Sequence, residues 1–255
     1  MGNVRRRAVL ALLVLALGFF YRHNPVTGAA QAYAEEIATA SAATYVSLRV
    51  LNAFLSTAQE IELGGSLGVS ANAQPLKILE PIDDTIERIA GLIFGVMVAT
   101  GVLAVAMGPV SAVGCALAAL AAVVWLMQWR GGGMDVLARK LVSYGVFLGL
   151  ALPVAFVVTA QVADRMTDAA YERYTEIVAQ ITDSVGADDL AANDGIWREV
   201  DRYRTLATRI YADADTLIQS YIAILAVYAF RVFVLPLLIL GGFFVLARHF
   251  ARPHA

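Results

Sequence analysis

Arg231 is the residue whose setting in this chain most directly implies chemistry. It is the sole charged side chain between Ile218 and Ala247, a run of 30 residues. A charge inside an apolar helix is costly and usually faces protein or water rather than lipid. Two readings follow. In one, Arg231 lines an ion path or meets a buried acid. In the other, so long a run leaves Arg231 near an interface, where its stem snorkels towards water. The apolar runs hold no Asp or Glu. A buried Arg231 must therefore use backbone carbonyls freed near Pro236 or Pro153, or an acid at a helix end.

Other chemistry-bearing residues are few. Asp83, Asp84 and Glu87 are spaced to hold a cation near a membrane surface. Their plainer account is that of helix N-terminal acids, with Asp84 and Arg88 paired four residues apart. His23, His249 and His254 lie near the ends without metal-ligand spacing. Cys115, the single cysteine, sits in an apolar run, which suits a structural thiol. Nucleophile-elbow, phosphate-loop, zinc-protease and dinucleotide motifs are missing. We expect no catalytic residue, cofactor or metal. With a net charge of −2 there is no nucleic-acid footprint either.

The elements that must position these residues read as membrane helices. Of the 255 residues, 59% are hydrophobic, and mean hydropathy is +0.68. The excess is gathered into runs, which is a membrane signature rather than that of a large soluble core. The longest run, Ile89 to Trp129, holds 41 residues without a charge or a histidine. As one helix it would measure about 60 Å, twice the roughly 30 Å of a bilayer's hydrocarbon. Gly108-Pro109 near its middle is a turn pair. The expectation is a membrane hairpin, Ile89–Met107 and Val110–Gln128, within 89–129.

Around that hairpin the chain divides as follows. Residues 1–21 carry Arg5-Arg6-Arg7 and then fourteen uncharged residues, a signal anchor and first span. The alternative is a cleaved signal, with small-residue sites at Ala30-Gln31-Ala32 and Ala32-Tyr33-Ala34. Residues 22–88 form an extramembrane or membrane-apposed helical segment with four basic and eight acidic side chains. There Ala34, Ile37, Ser41, Thr44, Leu48, Leu51, Leu55 and Ala58 make one helical stripe, ended by Gly64-Gly65-Ser66. Pro81-Ile82-Asp83-Asp84 opens the next helix.

Residues 141–160 are a transmembrane helix kinked at Pro153. Residues 161–217, with six Arg and twelve acids, read as an extramembrane helical stalk. Ala163, Met166, Ala170, Ile177 and Ile181 face Ile196, Val200, Tyr203, Ala207, Ile210, Ala214 and Leu217 across a heptad-like seam. Residues 218–247 are the last transmembrane helix, and 248–255 a basic tail. The fold class is all-α: a polytopic helical membrane protein with a membrane hairpin and an antiparallel, coiled-coil-like extramembrane hairpin. Gly91 with Gly95, and Gly145 with Gly149, are small-residue pairs suited to close helix packing, as is Gly114 with Ala118.

Charge gives the orientation a conflict. Arg5–Arg7 place the N-terminus in the cytoplasm. Five crossings then put the Arg139-Lys140 loop and the basic tail outside and the acidic stalk inside. An even number of crossings satisfies every segment, with Ala38–Gln59 as the candidate extra pass. Arg49 within it would cost about 2.5–3.5 kcal/mol.

Val50-Leu51-Asn52-Ala53-Phe54-Leu55 through Gln59, then Ile78-Leu79-Glu80-Pro81-Ile82-Asp83-Asp84 with Glu87-Arg88, resembles a pattern of uncharacterised bacterial inner-membrane proteins. Val234-Leu235-Pro236-Leu237-Leu238 in the last span is similar too. The resemblance covers about a third of the chain. It implies a multi-span protein of the bacterial cytoplasmic membrane and supplies no activity. Arg outnumbers Lys 17 to 2, in keeping with a GC-rich bacterial genome. The expected function is a non-enzymatic scaffold or assembly subunit. Its partners are the bilayer and a protein, or further copies of itself, engaged through the stalk. The alternative is a channel or transporter component that uses Arg231, Pro153 and Pro236.

Overall fold

The computed structural model describes residues 2–19, 24–65, 80–127, 135–182 and 205–251. Among these, all but Asn24 and Asp213 are helical and no strand occurs. The helices are α1 (Gly2–Phe19), α2 (Pro25–Gly65), α3 (Glu80–Met127), α4 (Asp135–Val146) and α5 (Leu152–Thr182). Residues 205–212 are helical, and α6 (Ala214–Ala229) and α7 (Leu235–Ala251) follow. Two π-helical turns, Phe147–Ala151 and Phe230–Val234, join α4 to α5 and α6 to α7. Three stretches of the described chain are long and apolar enough to cross a membrane: Glu80–Trp125, Val136–Thr182 and Ala214–Leu246. By that measure the protein is an all-helical, multi-pass membrane protein.

The central run does not turn at Gly108-Pro109. Pro109 lies inside α3, which continues as one helix of 48 residues from Glu80 to Met127. The expected hairpin over 89–129 is corrected accordingly. Proline in a helix loses one hydrogen bond, whereas a reversal within apolar surroundings leaves several backbone groups unpaired. α3 does start where expected, with Pro81 in its first turn and Glu80 and Asp83 at the positive end of its dipole.

The chain divides into two compact units. The first takes Met1–Ala38, Val98–Arg165 and Arg231–Ala255. In it, α1 runs antiparallel to the end of α3: Arg7 lies 5.6 Å from the Trp125 ring, and Gly18 faces Cys115 and Ala119. The start of α2 takes over beside Ser111, whose hydroxyl is 2.9 Å from that of Thr27.

On another side, α4 and the first π turn cross α3 backbone to backbone. A Cβ on Gly145 would lie 2.7 Å from the Ala118 nitrogen, and one on Gly114 would overlap the Gly149 backbone. Lipid tails are as apolar as leucine, so such close approach, rather than exclusion of water, is what holds membrane helices together. Gly145 and Gly149 therefore sit at a helix contact, opposite Gly114 and Ala118. A Cβ added at Gly91 or Gly95 would meet nothing within 4 Å among the described residues. The spacing is the same; among the described residues a close neighbour stands opposite Gly145 and Gly149.

The second unit takes Thr39–Met97 and Met166–Phe230. Its core is the α2 stripe (Ser41, Leu48, Leu51, Leu55 and Ala58 are all buried) packed with Ile86 and Ile93 of α3 and Ala207, Ile210, Leu217 and Ile224. Truncating such a residue, for example Leu51→Ala, leaves a cavity costing about 2–5 kcal/mol. Residues 166–182 and 205–230 thus belong to one compact unit with α2 and the start of α3, and residues 183–204 of the expected stalk fall outside the described residues. Met166 is exposed and lies off the buried face, where Ala163 and Val178 are. Ile196, Val200 and Tyr203 fall outside the described residues.

Candidate functional site

Arg231 is buried, at 8% exposure, within the Phe230–Val234 π turn. Its Nη1 lies 3.9 Å from Oδ1 of Asp164, a side chain that is half exposed. The pair combines both readings of the sequence: the arginine is enclosed, and its charge meets an acid just beyond the 141–160 run. At that distance it is an ion pair rather than a tight hydrogen bond. The register that joins the two helices is not visible in one dimension. Spacing alone therefore does not single out Asp164, although it is the first acid after the run.

The two prolines have a common local consequence. Pro153 and Pro236 each stand two residues after a π turn, Phe147–Ala151 and Phe230–Val234. A proline gives no N–H to the carbonyl four residues back and pushes it aside. Widening the preceding turn lets carbonyls find donors five residues on, and the Leu152 N–H indeed donates to the Phe147 oxygen. The bulge before Pro236 is what carries Arg231.

Beside it, α3, α5 and the π turn with α7 line an open hollow of about 350 Å³, bordered by residues that include Val102, Met107, Phe156, Phe233, Pro236 and Leu240. Its walls are apolar throughout. Such a cavity accepts an apolar group and offers no ligand to an ion. Pro236 lines this hollow, and Leu152 and Val232, the neighbours of Pro153 and Arg231, line it too.

In the second unit, tyrosine hydroxyls tie three helices together. Tyr228 Oη lies 2.9 Å from Thr44 Oγ1 and 3.1 Å from Tyr171 Oη, and Tyr221 Oη lies 3.0 Å from Ser47 Oγ. Both Tyr221 and Tyr228 are buried, so their hydroxyls need these partners. Sequence reading did not single them out; two tyrosines seven residues apart on a buried face are the signal that was there. Asp83 Oδ2 accepts from Ser56 Oγ at 3.3 Å. Among the described residues no group of three or more His, Cys, Asp or Glu side chains is placed to hold a metal.

Against protein-family models, curated proteins and solved structures alike, the chain finds no match.

Proposed function

We propose that this is a non-enzymatic membrane scaffold or assembly subunit of the bacterial cytoplasmic membrane, engaging a protein partner through its second unit. One observation carries the reading. Large apolar side chains stand exposed along α3 from Leu92 and Val98 through Val105 to Val123. These exposed positions extend over about 46 Å of helix at 1.5 Å per residue. Even tilted by about 40°, the steep end of the usual range, it spans about 36 Å and overruns a hydrocarbon core of about 30 Å. Part of it needs a cover other than lipid.

The Leu92 end is the part to be covered. There α2 also exposes Val46 and Val50, and the Tyr45 ring packs 5.5 Å from Phe94 to join the two helices. In the described part of the heptad seam, Ala207, Ile210 and Leu217 are already buried within the unit. The partner is a second protein or another copy of the chain. A photo-crosslinker at Val50 or Leu92, in native membranes, should give discrete protein adducts, and one at Leu237 should give lipid adducts. Lipid adducts alone at all three positions would overturn the reading.

A second reading, a channel or transporter component, draws on the burial of Arg231 at a π turn. The apolar walls of the adjoining cavity weigh against it. Flux in liposomes that is equal for native protein, Arg231→Leu and empty vesicles would remove it.

A further inference from the structure

We propose that the first unit holds a specific binding site for one anionic phospholipid. The site lies between α1, the end of α3 and the start of α4. This goes beyond the partner surface, which is on the other unit, and requires only that the helices cross a bilayer.

A cleft of about 510 Å³ is lined by Leu10, Ala11 and Val14 of α1, Trp125 of α3, and Arg139 and Val142 of α4, among others. Its size is that of a small-molecule pocket. Its walls are apolar except at one end. There Arg139 enters the lining, and the Arg7 guanidinium lies 5.6 Å from the Trp125 ring. Arg139 also borders a second hollow of about 290 Å³ with Lys140, Ser143 and Tyr144. One cation, Arg139, thus lines the cleft, a second, Arg7, stands over its Trp125 wall, and a third, Lys140, borders the adjoining hollow.

Aromatic and basic side chains at one level mark a membrane interface. Trp125 with Arg7 and Arg139 supplies both kinds at the cleft, and Lys140 and Tyr144 border the adjoining hollow. An apolar groove that ends in cations at that level complements a phospholipid with net negative charge. The acyl chain lies along Leu10, Val14 and Val142, and the phosphate meets Arg7 and Arg139. Basic pockets between membrane helices recognise acidic headgroups in this way. A zwitterionic lipid carries its own cation beside the phosphate and gains less. Free phosphate has no chain for the cleft.

The test uses the full chain in a non-ionic detergent, titrated with dioleoylphosphatidylglycerol, dioleoylphosphatidylcholine or inorganic phosphate. Native mass spectrometry reads the bound lipid. We expect the anionic lipid to bind at least tenfold more tightly than the zwitterionic one, with no competition from inorganic phosphate. Each interfacial cation contributes roughly a fivefold factor, so Arg7→Gln/Arg139→Gln should weaken the anionic lipid about 25-fold. The side chains of Arg7 and Arg139 are exposed, so the variant should fold; a melting temperature equal to that of the native chain checks this. Val142→Trp, at an exposed wall position, should block the acyl chain and reduce binding of both lipids while leaving the cations in place. Equal binding of the two lipids overturns the proposal. So does unchanged affinity in the folded double variant, or phosphate competing as well as lipid.

Discussion

Arg231 and Asp164 lie 67 residues apart in the chain and meet with Nη1 and Oδ1 at 3.9 Å, one buried and one half exposed. The cost of burying the cation outweighs what the pair returns. Its attraction to a half-exposed carboxylate is screened, and such pairs contribute about 0–1 kcal/mol. Replacing a whole buried ion pair by apolar residues is often neutral or stabilising by about 1–4 kcal/mol, and here the carboxylate left behind by loss of the arginine is half exposed. Asp164→Asn should therefore destabilise the protein by about 1 kcal/mol, and Arg231→Met should be neutral or stabilising. Unfolding in detergent measures both. A large loss from Arg231→Met would mean that the arginine holds more of the first unit together than this pair.

The bulge at Phe230–Val234 is attributed to Pro236. Replacing it by alanine restores the missing N–H and allows the turn to close into an α-helix. Arg231 would then rotate away from Asp164. In a double-mutant cycle between Arg231→Met and Asp164→Asn, the coupling should fall to zero in the Pro236→Ala background. Unchanged coupling would show that the bulge does not depend on the proline.

The glycines named from their spacing should separate cleanly. Gly145→Ala drives a Cβ to within 2.7 Å of the Ala118 nitrogen, and Gly114→Ala overlaps the backbone of the π turn. Forced overpacking of this kind costs about 1–3 kcal/mol. Gly91→Ala and Gly95→Ala have open space and should be stabilising by up to about 1 kcal/mol through helix propensity. Thermal unfolding of the four variants provides the comparison. If Gly91→Ala and Gly95→Ala destabilise, those residues pack against something outside the chain.

Tyr228→Phe removes a buried hydroxyl that lies within hydrogen-bonding distance of Thr44 and Tyr171. It should cost about 1 kcal/mol or more, because its former partners lose a bond as well. Thr44→Val/Tyr228→Phe should cost less than the sum of the single changes. Additive losses would indicate that the two hydroxyls do not interact.

The single passage of α3 changes the expected orientation. In the first unit α1 is antiparallel to α3, and α7 is antiparallel to α5, since Arg231 lies by Asp164 while Pro236 and Leu240 share a cavity with Leu152 and Phe156. The starts of α1 and α4 and the ends of α3 and α7 then lie at one end of that unit, where Arg7, Arg139 and Lys140 are. No crossing by Ala38–Gln59 is needed. Reporter fusions after Gly132 and Ala255 should place both on the side of Arg5–Arg7, and a fusion after Gly186 on the other side. Opposite sides for Gly132 and Ala255 would refute this arrangement.

What the sequence alone determined is what depends on local order. Runs of apolar residues marked the helices that cross a membrane, since a span is defined by consecutive residues. The stripe from Ala34 to Ala58 marked the buried face of α2, since helical periodicity is local too. The start of α3 and the end of α2 followed from Pro81 and Gly65. Only the tertiary structure decided the rest. Whether Pro109 ends a helix depends on what surrounds it, because a proline inside apolar surroundings costs less than an unpaired turn. Whether a small-residue pair packs depends on what lies opposite: Gly145 and Gly149 have Gly114 and Ala118, while Gly91 and Gly95 have open space among the described residues. And the acid that answers Arg231 was hidden because antiparallel register, not spacing in the chain, brings Asp164 beside it.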